Sequence, residues 1–514
     1  MRPRDGQQRH ERRPGVVGMR TDGWMDMFPV AVTTWPYGTL RTMAAITVMA
    51  IAVGACGGGA GSASPTTPAS SAAPSIASAS ASPSTGPTSA GPFSSPIADT
   101  PVGRKLTWYL DQLNGGASSL SATDVAGQFD AAFLAQEPAA QVVVLAQQLA
   151  FGAPFSVADY APSADNSARA VFEGRLATLK VSIAVGAASP NLITSLEFIV
   201  TSNPTPTATW AQLDAAVAGL APKHSLYAGE ITASGCQPIH TLNAGQTLAT
   251  GSTFKLFVLG ELARQIQAGK ASWDETLAVR DDWKSLSDGT MDNEKAGTTH
   301  TLLEYAQQMI SISDNTAADH LIRRLGRQNV EANMAAMGLA DPSRNIPFLT
   351  TRDLFVLKAT KNATLRQQYL AADAAGRRAL LDGPVAASPI ASTDFDDWTT
   401  PRDIDTLEWF ASTGDLCSAM AALHQTAGKP GLSQIQDILT INPAMDVDPS
   451  VWTYVGFKGG SEPGVLQMTW LLRRADNRWF AVSLTLDDPT TAKDNTVAML
   501  SLGGTAMSLL GVAK

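Results

Sequence analysis

Gly251-Ser252-Thr253-Phe254-Lys255 runs directly into the apolar stretch Leu256-Phe257-Val258-Leu259. A serine and a lysine three residues apart at a helix start lie on one face, one turn apart. An amine at that distance reaches a hydroxyl that is otherwise too weak a nucleophile at neutral pH. The positive field at a helix N-terminus also favours a developing alkoxide. Such a pair arises by chance in most long chains, so the other parts of a site must come from elsewhere in the sequence.

The 514 residues, 44% of them hydrophobic, are enough for two globular domains and a tail. The formal charge of −9 leaves no basic footprint, so nucleic acid is not expected as a partner. Six histidines form no HExxH or HxH group and three cysteines form no CxxC pair, so neither a metal nor a cofactor is expected. No repeat of solenoid period is present.

Residues 1–26 are polar and arginine-rich, either a long n-region or an over-extended start with Met25, Met27 or Met43 as alternatives. Arg41 then precedes an apolar run of 13 residues, Met43 to Ala55, which is short for a bilayer span and suits a signal-peptide core. Its end, Val53-Gly54-Ala55-Cys56, resembles a bacterial lipoprotein signal in which Cys56 becomes lipidated; the plainer alternative is a secretory signal with an incidental cysteine. Residues 57–100 are almost entirely Gly, Ser, Ala, Pro and Thr, a composition that cannot offset chain entropy by burial. A tether of that length reaches roughly 35–40 Å. The expected location is therefore outside the cell membrane, held to it through Cys56.

A first domain is expected over 101–204. Leu106, Tyr109, Leu110 and Leu113 share a helical face, and Phe129, Phe133 and Leu134 suggest a second short helix. Strand-like runs follow at 168–172, 179–185 and 192–200, the second with clear alternation. Helices followed by antiparallel strands resemble a small α+β cone of the NTF2-like or cystatin-like type. No catalytic set stands out, so a structural or docking role is expected, with a ligand pocket as the alternative. Ser202 to Pro206 reads as the linker out.

The second domain, 205–514, carries the chemistry. A helix is expected over Trp210–Leu220, a strand over Ser225–Ile231, a turn near Gly235, and a helix from Ser252 to about Ala268. Leu302, Leu303, Ala306, Met309 and Ile310 form a helical stripe that runs into Ser313-Asp314-Asn315, where another helix begins. Tyr454 to Ser461, containing Lys458-Gly459-Gly460-Ser461, reads as a strand that brings a lysine to a cleft. Trp479–Leu486 reads as a strand and Thr496–Leu510 as a terminal helix.

The ordered trio SxxK, SDN and Lys-x-Gly resembles that of class A β-lactamases and penicillin-binding proteins. The spacings agree with it: 61 residues from Ser252 to Ser313, and 145 from there to Lys458. The resemblance covers roughly 210–514, and with tether and extra domain the chain looks like actinobacterial β-lactamase-related lipoproteins and the β-lactamase-like protein of clavulanic-acid gene clusters. It implies an α+β fold in which an antiparallel sheet is flanked by helices, beside an all-helical subdomain. By the same resemblance Ser252 is the acylated nucleophile, Lys255 its base and Ser313 a proton shuttle, while Lys458 pairs with a substrate carboxylate. Asn315 would bind a substrate amide, and the strand at Gly460 and Ser461 would complete an oxyanion hole with the Ser252 N–H. The plain alternative for Ser313 and Asn315 is an ordinary helix cap.

Two departures narrow the expectation. The stretch Met337–Thr351 contains no glutamate, whereas class A enzymes use one there to activate the deacylating water. Gly459 stands where the family usually has Thr or Ser. Asp405 and Glu408 are candidates to face the cleft, with Glu408 as a replacement for the missing base, or simply acids in a helix's first turn. Cys236 and Cys417, the cysteines other than Cys56, are consistent with either one disulfide or two buried thiols. The expected function is an exported serine hydrolase acting on a small or peptidoglycan-like amide, ester or β-lactam, with poor β-lactam turnover. The rival is a penicillin-binding or cell-wall-binding module that acylates and stalls.

Overall fold

The computed structural model describes residues 97–203, 206–286, 289–395 and 398–514. The signal-like segment, Cys56, most of the tether and two linker residues lie outside the described residues.

Polar caps start the first three helices. Thr100, Ser121 and Asp130 each accept a backbone N–H from the first turn of α1 (Pro101–Asn114), α2 (Ala122–Ala126) and α3 (Ala131–Gln136). α4 (Ala139–Leu149) follows Pro138 without such a cap. An antiparallel meander then runs β1 (Ser156–Ala164), β2 (Ser167–Glu173), β3 (Thr178–Val185) and β4 (Ile193–Thr201), in that spatial order. Sequence reading expected one helix around Phe129; the chain instead breaks between α2 and α3, and Phe129 bridges to Ile193.

Next come α5 (Trp210–Ala218), β5 (Lys223–Thr232), β6 (Gly235–Leu242) and the short β7 (Leu248–Ala249). α6 spans Lys255–Gln267, β8 Thr276–Ala278 and β9 Thr299–Thr301. A helical subdomain contains α7 (Leu302–Ser311), α8 (Asn315–Leu325), α9 (Arg327–Ala336), α10 (Thr351–Lys358), α11 (Ala363–Ala371) and α12 (Ala374–Leu380). β10 (Phe410–Ala411) pairs with β7, then α13 (Thr413–Ala427) and α14 (Gln434–Thr440) lead to β11 (Trp452–Glu462), β12 (Val465–Arg474), β13 (Trp479–Asp487) and α15 (Thr496–Gly511). The main sheet is antiparallel with order β11-β12-β13-β5-β6, so β11 is an edge. The second part of the molecule is thus the expected α+β arrangement of sheet, flanking helices and helical subdomain.

Alternation along β12 divides the core. Leu471 faces a cluster built on α6, α8 and α13, whereas Met468, Trp470 and Leu472 face a second cluster. That second cluster also contains the apolar residues of α1, β2, β3, β4 and α15, so the meander and the back of the main sheet share one hydrophobic interior. α15 lies in the middle of it and is buried nearly all round, which is why its sequence is apolar on every face. Polar ties complete the junction: Thr505 Oγ1 donates to the Leu176 carbonyl (3.1 Å) and the Asn203 N–H donates to Ser508 Oγ (3.0 Å).

A disulfide joins Cys236 on β6 to Cys417 on α13, with Cα atoms 6.3 Å apart. It ties the far edge of the sheet to the helix packed on it and closes a loop of sequence separation 181. Replacing both cysteines by serine is expected to lower stability by about 2–4 kcal/mol, read as a fall in the urea midpoint, with a steeper slope because the unfolded chain is no longer crosslinked. An unchanged midpoint would mean that the bridge constrains nothing.

Candidate active site

The nucleophile candidate sits in a turn held from three sides. Gly251–Phe254 form a single 3-10 turn, and the α-helix begins only at Lys255, so Ser252 precedes α6 instead of lying in it. The left-handed Gly251 (φ +48°) makes the bend. Upstream, the Thr250 N–H and hydroxyl both donate to the Trp409 carbonyl (2.9 and 3.0 Å), and the Trp409 ring stacks on Phe254 at 3.8 Å. Below, Thr253 Oγ1 donates to Gln467 Oε1, and Gln467 Nε2 donates on to Ser483 Oγ (3.0 Å). On β13, Asp487 accepts the Ala249 N–H (2.8 Å), and burial pushes its carboxyl up to about 8.

Ser313 comes from the opposite wall. It is a non-glycine residue at φ +61°, a conformation that costs on the order of 1–3 kcal/mol and persists only where its surroundings enforce it. Asp314 is the enforcer: its Oδ1 caps α8 by accepting the Ala317 N–H (2.8 Å), and its Oδ2 accepts the N–H groups of Thr290 (2.8 Å) and Met291 (2.9 Å). The cap of this helix is therefore Asp314, which leaves the buried Ser313 and Asn315 to face the lysine.

Four oxygens lie around the buried Lys255 amine: Ser252 Oγ at 3.1 Å, Ser313 Oγ at 3.1 Å, Asn315 Oδ1 at 2.7 Å and the Ser313 carbonyl. The carbonyl and the amide oxygen can only accept, so together they use two N–H donors. If the amine is neutral, the lone pair that remains is directed to the two hydroxyls, and either serine can then donate to it. This geometry suits a base that takes the Ser252 proton. On β11 the buried Lys458 donates to Ser313 Oγ at 3.0 Å, so Ser252, Lys255, Ser313 and Lys458 form one continuous polar chain.

Gly460 explains how the strand approaches. A Cβ there would stand 2.2 Å from the Thr250 carbonyl oxygen and 2.4 Å from the Ser252 nitrogen. The Ser461 nitrogen in turn would lie 2.7 Å from a Cβ on Gly251. The amides of Ser252 and Ser461 therefore belong to backbones in direct contact, and β11, as an edge, has an outer side that the sheet ladder does not use. At Gly459 a side chain would meet the Phe457 ring at 2.8 Å, so the position where the family carries a hydroxyl is occupied by an aromatic edge.

The wall formed by 346–349 is apolar. Phe348 and Leu349 are buried, and Phe348 packs edge-on against Phe254. Of the two acids expected at the cleft, Asp405 pairs with Lys223 near the surface. Glu408 is buried against Lys358 and Glu462 and precedes α13 by several residues, so it is not a first-turn acid. Sequence reading missed Trp409, Gln467, Lys358 and Glu462, whose roles depend on contacts 50 to 214 residues apart.

Residues 211–407, which contain Ser252, Lys255, Ser313 and Asn315, match the model of the β-lactamase enzyme family. That segment is β-lactamase-like. Residues 97–190 match the model described as the ORF 12 gene product N-terminal. Among solved structures, a mutant of PBP-A in an acyl-enzyme complex with penicillin G is 16% identical, covers 58% of this chain and 94% of its own, and has a TM-score of 0.40. A β-lactamase from Sphaerobacter thermophilus is 18% identical, with 59% and 97% covered and a TM-score of 0.41. One from Chitinophaga pinensis is 13% identical, with 58% and 96% covered and a TM-score of 0.40. No curated protein matches the chain.

Proposed function

We propose that this β-lactamase-like chain is a serine hydrolase that works by acyl transfer on Ser252. The observation that carries the reading is the hydrogen-bonded chain Ser252–Lys255–Ser313–Lys458. Neutral Lys255 takes the Ser252 proton as Oγ attacks a substrate carbonyl, and the Ser252 and Ser461 N–H groups stabilise the oxyanion, each donor worth a few kcal/mol. Ser313 passes a proton to the departing nitrogen or oxygen and is re-protonated from Lys255. Lys458 keeps the Ser313 hydroxyl polarised and attracts a substrate carboxylate. Asn315 orients Lys255 and, through its amide, the acyl side chain.

Deacylation is the weak half. The 337–351 segment contains no glutamate: its one carboxylate, Asp341, is exposed and accepts from Ser343, and beside Phe254 the segment presents the apolar wall of Phe348 and Leu349. β-Lactams should acylate and leave slowly, whereas esters or peptides whose acyl group leaves more easily should turn over. That same wall favours the second reading, a penicillin-binding module that stalls. The chain is further proposed to be exported and lipid-anchored through Cys56, with the helix-then-meander domain resembling the NTF2 or cystatin type as a spacer or docking element.

The test is labelling of the full chain with a fluorescent penicillin, followed by hydrolysis of nitrocefin, simple esters and D-Ala-D-Ala peptides. A Ser252-dependent adduct that persists for minutes, with measurable ester or peptide turnover, is the expected result. A persistent adduct without any turnover selects the binding module, and fast nitrocefin turnover refutes the deacylation argument.

A further inference from the structure

Beside the nucleophile's turn lies a group of three buried ionisable residues that the proposed reaction does not use. Lys358, from the end of α10, contacts Glu462 Oε1 and sits 3.4 Å from Glu408 Oε1. All three are more than nine-tenths buried. The second oxygen of Glu408 accepts the Trp409 N–H (3.0 Å), so both oxygens of Glu408 have a donor. Glu462 Oε2 has none among the described residues, although it is buried and its carboxylate and that of Glu408 contact the same Lys358 amine. A carboxylate oxygen can gain a bond to another carboxylate only through a proton. Two buried anions facing one ammonium also leave an uncompensated charge, which is among the most costly arrangements in a protein interior.

We propose that Glu462 and Glu408 share one proton beside Lys358 and so clamp together the two backbone segments that flank the nucleophile. Glu462 follows Ser461, whose amide belongs to the proposed oxyanion hole. Glu408 precedes Trp409, whose carbonyl holds both polar groups of Thr250. The proton therefore joins the strand on one side of Ser252 to the support on the other. Both glutamates are positioning residues. Loss of the proton sets two carboxylates against each other and drives the segments apart. The groups facing the pair are Lys358 from α10 and Asp487 from β13, whose carboxyl is raised by burial first and also by the charge of Glu408. Arg402 donates to the Lys358 carbonyl, and Lys458 lies four residues earlier on the same strand. Burial first, then the charge of Glu408, raises the Glu462 carboxyl well above its ordinary value, which agrees with the geometry.

The sign follows from linkage. A carboxyl held protonated above its unfolded value near 4.5 ionises more readily in the unfolded chain, so folded stability falls as pH rises from about 4.5 to the end of its titration and then levels off. In Glu462→Gln the amide donates to Glu408 and accepts from Lys358 at every pH. The experiment uses the full chain from pH 4.5 to 9.5 and reads the melting temperature and the rate of fluorescent-penicillin labelling. Relative to the wild type, E462Q is expected to gain melting temperature progressively as pH rises, and its alkaline loss of labelling should begin at higher pH. Glu408→Gln, which leaves one carboxylate for one lysine, should flatten the same profiles.

Parallel melting curves at all pH values for both variants, with coincident alkaline limbs, would overturn the proposal. The clamp rests on the Ser252 reading only for the labelling arm. If the wild type is unlabelled at every pH, that reading fails, and the pH-dependent melting difference alone decides whether the proton is shared.

Discussion

Replacing Ser252 by alanine is expected to reduce covalent labelling by at least about a thousandfold, which in practice is background. Residues that act as one catalytic unit are strongly non-additive, so loss of the attacking atom forfeits the whole contribution of Lys255, Ser313 and Lys458. The fold should hold, because Ser252 is part-exposed and the turn is fixed by Thr250, Thr253 and Phe254. The measurement is labelling by a fluorescent penicillin or a fluorophosphonate, with a melting curve as control. Equal labelling of S252A and wild type would move the nucleophile elsewhere and end the acyl-transfer reading.

The second large effect is expected from a single methyl group. In Gly460→Ala the new Cβ would meet the Thr250 carbonyl oxygen, the Ser252 nitrogen and the Thr253 nitrogen at 2.2, 2.4 and 2.7 Å. All three are backbone atoms, so no rotamer relieves the contact. The turn is pinned by Trp409 and Gln467, and β11 is pinned by its ladder with β12. One of the two must retreat by about an ångström, and a misplacement of that size costs about a hundredfold in rate. G460A should label at least about a hundredfold more slowly while retaining most of its stability. Labelling within a few-fold of wild type would show that the approach of strand to turn is looser than the geometry states.

The contrast between what the sequence displayed and what it hid has physical causes. Ser252-Thr253-Phe254-Lys255, Ser313-Asp314-Asn315 and Lys458-Gly459-Gly460 were legible because each is a local motif, and their order and spacing made them informative together. β3 was legible through alternation and α1 through a single apolar face. β1 escaped because it is an exposed edge whose residues do not alternate, with Pro162 inside it. α4 escaped because its Val142-Val143-Val144 run favours a strand locally, while packing beside α1 and α15 makes it a helix. The left-handed Ser313 could not be read at all, since it is imposed by Asp314 gripping a segment more than twenty residues upstream. The Glu408–Lys358–Glu462 group was hidden for the same reason: its members are separated by 50 and 104 residues and meet only in the folded chain.

The interior shared by the meander, α15 and the back of the main sheet has a consequence for how this protein can be divided. A chain cut at the linker would leave α15 seated on β12 and β13 but would open to solvent the apolar face of α15 that packs on α4 and β4. The first domain is in that sense a wall of the second and not an attachment to it. Recombination, truncation or a protease nick at the linker would yield two pieces with exposed apolar faces in place of a smaller folded unit. Any force applied at the N-terminal end of the described chain reaches the main sheet through the apolar packing of α4 and β4 on α15.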